Sequence, residues 1–534
     1  MLRRHREKIK SNDESFYMWT TLSVVVIGTF MAILDSAIVN VAIPKMMAVF
    51  QVSVDKSRWI ITSYTLTLGA VIPLTGYLVD RFSSKRVYIF ALGAFTVGSM
   101  LCGLSWSNSS MIFFRIIQGF GGGIIMPVSM VILYEVVPLE KRGMALGIWG
   151  IAAMAAPTIG PTLSGYIIDY LDWRLIFTIN IPIGIIGMIM SYILLRPSSR
   201  KKDKQFDIIG FITATVGIVS CLYLLAESSY IDWQNIKYML LLVVGIFSLI
   251  LFVINELSHP DPLLDLKLLK IFPFSLSIII TSVLNMALFG VIFIMPLFLQ
   301  SLMGYTPMQS GMIMLPSAVA TGIFMAVGGR IFDKVGARPL VIPGVIVLVL
   351  STYELSKLSL DTPLHSIIIL LVVRAIALGF TTMPVSTQGM NSVPMPLVAK
   401  ASALSNTIRQ VSASLSITIL TTIMLHVQNQ KYASYLGDTT VFNNSVTNFL
   451  TYLQNIYMQT GMTSGSASTA AQSLLSSYVQ RQVFIDSINA TMVASTIFAV
   501  IAIPLSFLVQ NKEKADTYIQ KNSTPTNKVE VSAE

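Results

Sequence analysis

Gly76-Tyr-Leu-Val-Asp80-Arg81-Phe-Ser-Ser-Lys85-Arg86 returns in altered form as Gly329-Arg330-Ile-Phe-Asp333-Lys334-Val-Gly336-Ala-Arg338. Each stretch joins two long apolar runs. Each has a glycine, an aspartate four residues later, a base beside it and more bases at its end. The two aspartates lie 253 positions apart. A carboxylate-and-base turn repeated between membrane-length runs predicts a duplicated membrane protein whose halves move against each other. Composition agrees: of 534 residues, 54% are hydrophobic and only 12% charged, against about 25% charged in a soluble domain.

Fourteen apolar runs approach the roughly 20 residues that cross a bilayer as a helix. They lie near 18–43, 56–79, 87–106, 111–134, 143–167, 175–195, 208–227, 238–256, 273–298, 308–329, 339–357, 365–388, 402–426 and 485–509. With the N-terminus inside the cell, the inner segments hold 25 Lys and Arg and the outer ones 8, while Arg115, Arg374 and Arg409 fall within spans. That bias predicts both termini in the cytoplasm, with the chain a multi-pass membrane protein. The net charge of +10 therefore reports topology, and no nucleic-acid partner is expected. The basic start leads into a full-length span, so no cleavable signal is expected. Cys102 and Cys221 sit inside apolar runs without metal spacing and read as small core residues.

The repeat places the spans. Asp80 follows span 2 and Asp333 follows span 10; Arg115 in span 4 answers to Arg374 in span 12. Six-span halves would pair span 2 with span 8, so spans 7 and 8 read as an insertion. The expected fold is all-α: two six-helix bundles plus two inserted helices. Its parts are an N-terminal segment 1–17, a bundle 18–195, a linker 196–272 holding helices at about 208–227 and 238–256, a bundle 273–509, and a tail 510–534. Arg196, Arg200, Lys201, Lys202 and Lys204 make the linker start basic. Within the second bundle, residues 427–484 are polar and predict an outer loop, helical near 445–459 and 469–482.

Asp35 is the only acid deep in a span. An ionised carboxylate is costly in lipid unless it finds a partner, faces water or takes up a proton. Those alternatives describe a proton carrier; the plainer reading is a carboxylate bracing a kinked helix. Arg115 is the natural partner, since the two lie about 12 and 7 Å below the same surface at helical rise. Gln118, three residues on, shares the face of Arg115. Tyr64, Asn180, Asn285, Gln300, Asn406, Arg409 and Gln410 are the other polar residues within spans. With Gln118, the first six are candidates to line a substrate cavity. Gly160-Pro161 interrupts span 5, where small residues let helices approach and the pair bends the helix. The four histidines fall at span ends or in loops without clustering, which argues against an enzyme.

These residues resemble the fourteen-span drug:proton antiporter branch of the major facilitator superfamily. The resemblance rests on Leu34-Asp35-Ser-Ala-Ile-Val-Asn-Val-Ala-Ile-Pro44, the turn from Gly76 to Arg86, Arg115-Ile-Ile-Gln118-Gly119, and Pro157-Thr-Ile-Gly160-Pro161. It continues through Asp172-Trp173-Arg174 to Asn180-Ile-Pro182, then Pro262-Leu-Leu-Asp265-Leu266 and Ser402-Ala-Leu-Ser-Asn406-Thr-Ile-Arg409-Gln410. It implies a monomeric exporter of amphipathic small molecules, such as drugs, dyes and antibiotics. The exporter would work by alternating access among membrane lipids, driven by the proton gradient, with no cofactor and no metal. Carried onto this chain, Asp35 and Arg115 match the proton-coupling pair. Gly76, Asp80, Arg81 and the second-copy Asp333 match the inner gate, and Gly160 and Pro161 the antiporter motif. The chain departs at Ser83 and Ser84, where the family favours glycine and a base, and at Ser164, which replaces a glycine. Span 10 has no extra acid, which argues against strongly dicationic substrates. Export of a lipid or lipid-linked molecule, guided by the 427–484 loop, is the alternative transport reading; a non-transporting scaffold would leave Asp35 without a purpose.

Overall fold

The computed structural model describes residues 2–198, 205–228, 231, 234–438 and 444–511. Arg200, Lys201, Lys202 and Lys204 of the basic linker, and the tail beyond 511, lie outside the described residues. Among those described, every regular element is a helix. That follows from the solvent: hydrocarbon offers no partner to backbone amides, so each span must bond within itself.

The first half comprises α1 (Leu2–Phe50), α2 (Val54–Val71), α3 (Leu74–Phe82), α4 (Ser84–Gly103), α5 (Asn108–Val136), α6 (Arg142–Tyr170), the single turn α7 (Leu175–Thr178) and α8 (Asn180–Leu194). Helices α9 (Ile208–Glu227) and α10 (Ile236–Ser258) follow. The second half comprises α11 (Phe272–Leu297), α12 (Pro307–Val335), α13 (Arg338–Glu354), α14 (Leu364–Asn391), α15 (Val398–Asp438), α16 (Asn444–Gln459) and α17 (Ser464–Phe507). Among the described residues, 13 helices are long and apolar enough to cross a membrane. Helices α2 and α3, bent by 56° at Ile72-Pro73, make the fourteenth span. Proline has no amide to donate and clashes with the preceding turn, which accounts for the break.

Two expectations need correction. The stretch beginning at Gly76 is not a turn: Gly76, Asp80 and Arg81 lie within α3, and the reversal is made by Ser83 alone, at φ +82°. Its counterpart Gly336 reverses the chain after α12 at φ +83°. The polar segment 427–484 is also more helical than expected. α15 continues to Asp438, α16 spans Asn444–Gln459, and α17 begins at Ser464 and carries the last span.

The halves meet along α6 and α12. A Cβ on Gly143 would stand 2.4 Å from the Gly329 carbonyl oxygen, and one on Gly147 2.5 Å from that of Met325. At the same end Asp333 accepts from the amides of Gly143 (2.9 Å) and Met144 (3.1 Å), the second and third residues of α6. A carboxylate there satisfies orphan donors and opposes the helix dipole. Related by 253 positions to Gly329, Gly76 of α3 faces the start of α15, where its Cβ would meet Lys400 Cα at 3.3 Å. Each repeated motif thus reaches the opposite half at one end of the molecule, the basic face. The largest apolar cluster also crosses the seam, joining Leu146 and Trp149 of α6 to Met325, Met383 and Leu404.

Candidate functional site

A polar cluster closes around Asp35, which is fully buried in α1. Arg115 of α5 donates from Nη1 to Asp35 Oδ2 at 2.6 Å and to Gln118 Oε1 at 2.6 Å. Gln118 Nε2 donates to Asp35 Oδ1 at 2.8 Å and to Ser99 Oγ of α4 at 2.6 Å. Asn180, the first residue of α8, donates to Asp35 Oδ1 at 2.8 Å. The Tyr64 ring of α2 lies against the guanidinium, 3.9 Å from its centroid. Five elements of the first half therefore converge on one carboxylate.

Local packing makes the convergence possible. A Cβ on Gly98 would come 2.5 Å from the backbone of Gln118, so α4 and α5 touch at the level that brings Ser99 to Gln118. Gly160 likewise lets α6 rest on Ala37, two residues from Asp35, since its Cβ would stand 2.6 Å from that of Ala37. Ser164, one turn further along the same helix, donates to the Ile38 carbonyl at 2.9 Å. The charges are buried together, and each has hydrogen bonds beyond the ion pair, as burial demands. Chemically, the cluster is a carboxylate with one cation and two amide donors, arranged so that any change in its charge unbalances the whole set.

The second half repeats the frame without the acid. Arg374 of α14, also buried, donates to the Ala287 carbonyl of α11 at 2.8 Å and to Thr352 Oγ1 of α13 at 3.3 Å. Ser495 of α17 donates to the same carbonyl at 3.0 Å. Thr352 lies 253 positions after Ser99, the spacing that separates the two motif aspartates. That equality is the sequence signal for Ser99.

The expected cavity residues separate into two groups. Tyr64, Gln118 and Asn180 belong to the Asp35 cluster. Asn285 and Asn406 donate to carbonyls of their own helices, Thr281 and Ser402. Arg409 donates to Asn406, and Gln300 sits half-buried in the π-helical turn after α11. A cavity of ≈ 540 Å³ lies between α1, α6 and α8, lined by apolar residues that include Val26, Phe30, Ile148, Ile151, Ile183 and Ile186.

A duplicated helical membrane fold with a buried carboxylate–arginine cluster deep in one half is a transporter architecture, and comparison with known proteins agrees. The family model described as Major Facilitator Superfamily matches residues 25–417. The chain belongs to that superfamily, within its fourteen-span drug-efflux branch, a family of multi-pass membrane transporters and not of enzymes. Similar proteins include the uncharacterised MFS-type transporter YhcA of Bacillus subtilis, 35% identical over 92% of this chain and 93% of its own. The multidrug export protein EmrB of Escherichia coli K12 is 31% identical, covering 83% and 86%. The lincomycin resistance protein LmrB of Listeria monocytogenes is 30% identical, covering 74% and 84%. The proton:xylose symporter XylE, at TM-score 0.58 and 13% identity over 94% of this chain and 99% of its own, shares the fold.

Proposed function

We infer that the protein is a proton-coupled antiporter that exports amphipathic small molecules, with Asp35 as the proton carrier and Arg115 as its charge partner. The basic face then lies in the cytoplasm of a bacterial cell and holds both termini, a reading that the distribution of Lys and Arg supports. One observation supports this reading above others: a fully buried carboxylate bonded to a single arginine and two amides in the middle of a helical bundle. Protonation removes the Coulomb attraction to Arg115 and leaves the cation short of a partner. That imbalance is the driving term a coupled transporter needs. Asp35 takes its proton from the outside, the Arg115 bond rearranges, substrate leaves, and the proton is released inside. Gly76, Asp80, Arg81 and Asp333 form the inner gate, and Gly160 with Pro161 lets α6 move against α1. The relatives that export drugs or confer lincomycin resistance support a small-molecule substrate.

Substrate-driven proton release in proteoliposomes tests the assignment. Asp35→Asn is expected to abolish release; full coupling in that variant sinks the proposed role. The apolar cavity beside α1 favours a second reading, export of a lipid or lipid-linked molecule. Under that reading, removing residues 439–463 stops transport but is silent for dye efflux under the first.

A further inference from the structure

The inserted helices are tied to the seam between the halves by buried polar contacts. Glu256, in the last turn of α10, is fully buried. Its carboxylate accepts from three consecutive amides: Leu263 at 3.0 Å, Leu264 at 3.1 and 3.3 Å, and Asp265 at 3.1 Å. The preceding Asn255 donates to Asp207 Oδ2 at 2.7 Å, and Asp207 caps α9 through the Gly210 amide at 2.8 Å. The turn so gripped holds Asp265 in the left-handed region, at φ +55° and ψ +71°. Non-glycine residues keep such a conformation where their surroundings over-determine it. There the Asp265 carboxylate lies 4.0 Å from Lys400 Nζ, with both side chains largely buried.

Lys400 begins the stretch of α15 that meets the first half. Its backbone faces Gly76, and two residues on Ser402 donates to the Pro127 carbonyl of α5 at 2.9 Å. Further along, α9 fills the same seam. Its Leu222 rests on Gly69 of α2, while Thr418 of α15 donates to the Leu225 carbonyl at 2.8 Å. The α6–α12 seam is different: its glycines touch directly and Asp333 caps α6 without an intermediary. Helix α10 stands outermost, with most of its apolar side chains exposed, so it contributes little packing of its own beyond α9. What it contributes to the seam is Glu256.

We propose that the α9–α10 pair is a strut that holds the α3–α15 seam shut at the basic face. Glu256 sets the 263–265 turn, Asp265 positions Lys400, and Lys400 seats α15 on α3. Glu256 and Asp265 are positioning residues. Their action goes beyond the export reading and does not depend on Asp35 carrying a proton.

Spin labels at Phe82→Cys and Met395→Cys, exposed positions on either side of this seam, test the strut in the full chain carrying Cys102→Ser and Cys221→Ser. Distances are read by double electron–electron resonance in nanodiscs, without substrate or pH gradient. Asp265→Asn and Glu256→Gln are each expected to raise the ratio of open to closed seam about fivefold. Lys431→Gln, on α15 at the opposite end, leaves it unchanged. Unaltered distances in either variant, with wild-type elution and melting temperature, overturn the proposal. If Glu256→Gln fails to fold, Asp265→Asn, which exchanges one oxygen for nitrogen, decides alone. Asp35→Asn in proteoliposomes judges the export reading separately, because the seam distance uses no coupling.

Discussion

In the first half Arg115 meets a carboxylate; in the second, Arg374 meets a backbone carbonyl. Around each arginine the frame is otherwise alike. A hydroxyl comes from the third span of its half, Ser99 or Thr352, a contact from the first, and a polar side chain from the last, Asn180 or Ser495. The second arginine is braced by neutral dipoles and has no acid whose protonation would disturb it. The first is balanced against a charge. Duplication supplied two scaffolds, and the chain placed its single deep acid in one of them. Under the antiporter reading the protonation step therefore acts on one half, and the other half follows through the seams.

The sharpest way to break this comparison is to remove each arginine in turn. Arg115→Met leaves Asp35 buried without its cation and is expected to destabilise by about 3–5 kcal/mol. Arg374→Met strands no charge, and the Ala287 carbonyl keeps its bond from Ser495, so the cost is expected at about 1 kcal/mol or less. Thermal unfolding in one detergent checks both; equal losses would end the claim that the halves differ in electrostatic balance. The hydroxyls give a smaller contrast. Ser99→Ala removes an acceptor of a 2.6 Å bond from Gln118, for about 1 kcal/mol, whereas Thr352→Val loses a 3.3 Å bond from Arg374, for about 0.5 kcal/mol.

The reversals after α3 and α12 offer the finest test. Ser83 and Gly336 share a positive φ, but only glycine adopts it without strain. Ser83 Oγ does accept from the Ser198 amide at 3.1 Å. Relief of ~2 kcal/mol of strain against one lost bond of ~1 kcal/mol predicts that Ser83→Gly stabilises by about 1 kcal/mol. Gly336→Ser should destabilise by about 2 kcal/mol, having strain to gain and no bond in return. Melting temperatures moving in the same direction for both would refute this account.

Much of the candidate site was legible as types and depths. Asp35 and Arg115 stood out because ionised groups are rare in lipid, and matching depth below one surface allowed their pairing. Asn180 was legible as a polar residue in a span but not as a ligand of Asp35, since residues 145 positions apart share no local pattern. Ser99 was silent, because serine is common in membrane helices and packs at little cost. Glu256 falls at a span end in the sequence, yet it is fully buried, because the chain after α10 folds back over it. A span end marks solvent only where the following turn leads away.

By itself, the sequence determined the class, the number of spans and the duplication, because each follows from hydrophobic length and from spacing along the chain. It also determined that one half holds a deep acid and the other does not. Only the tertiary structure decided which polar residues satisfy that acid, and that the repeated motifs cross to the opposite half instead of capping their own. It alone tied the inserted pair to the seam through Glu256, Asp265 and Lys400. The reason is that hydrophobic length is a property of consecutive residues, whereas satisfying a buried charge depends on where distant helices touch.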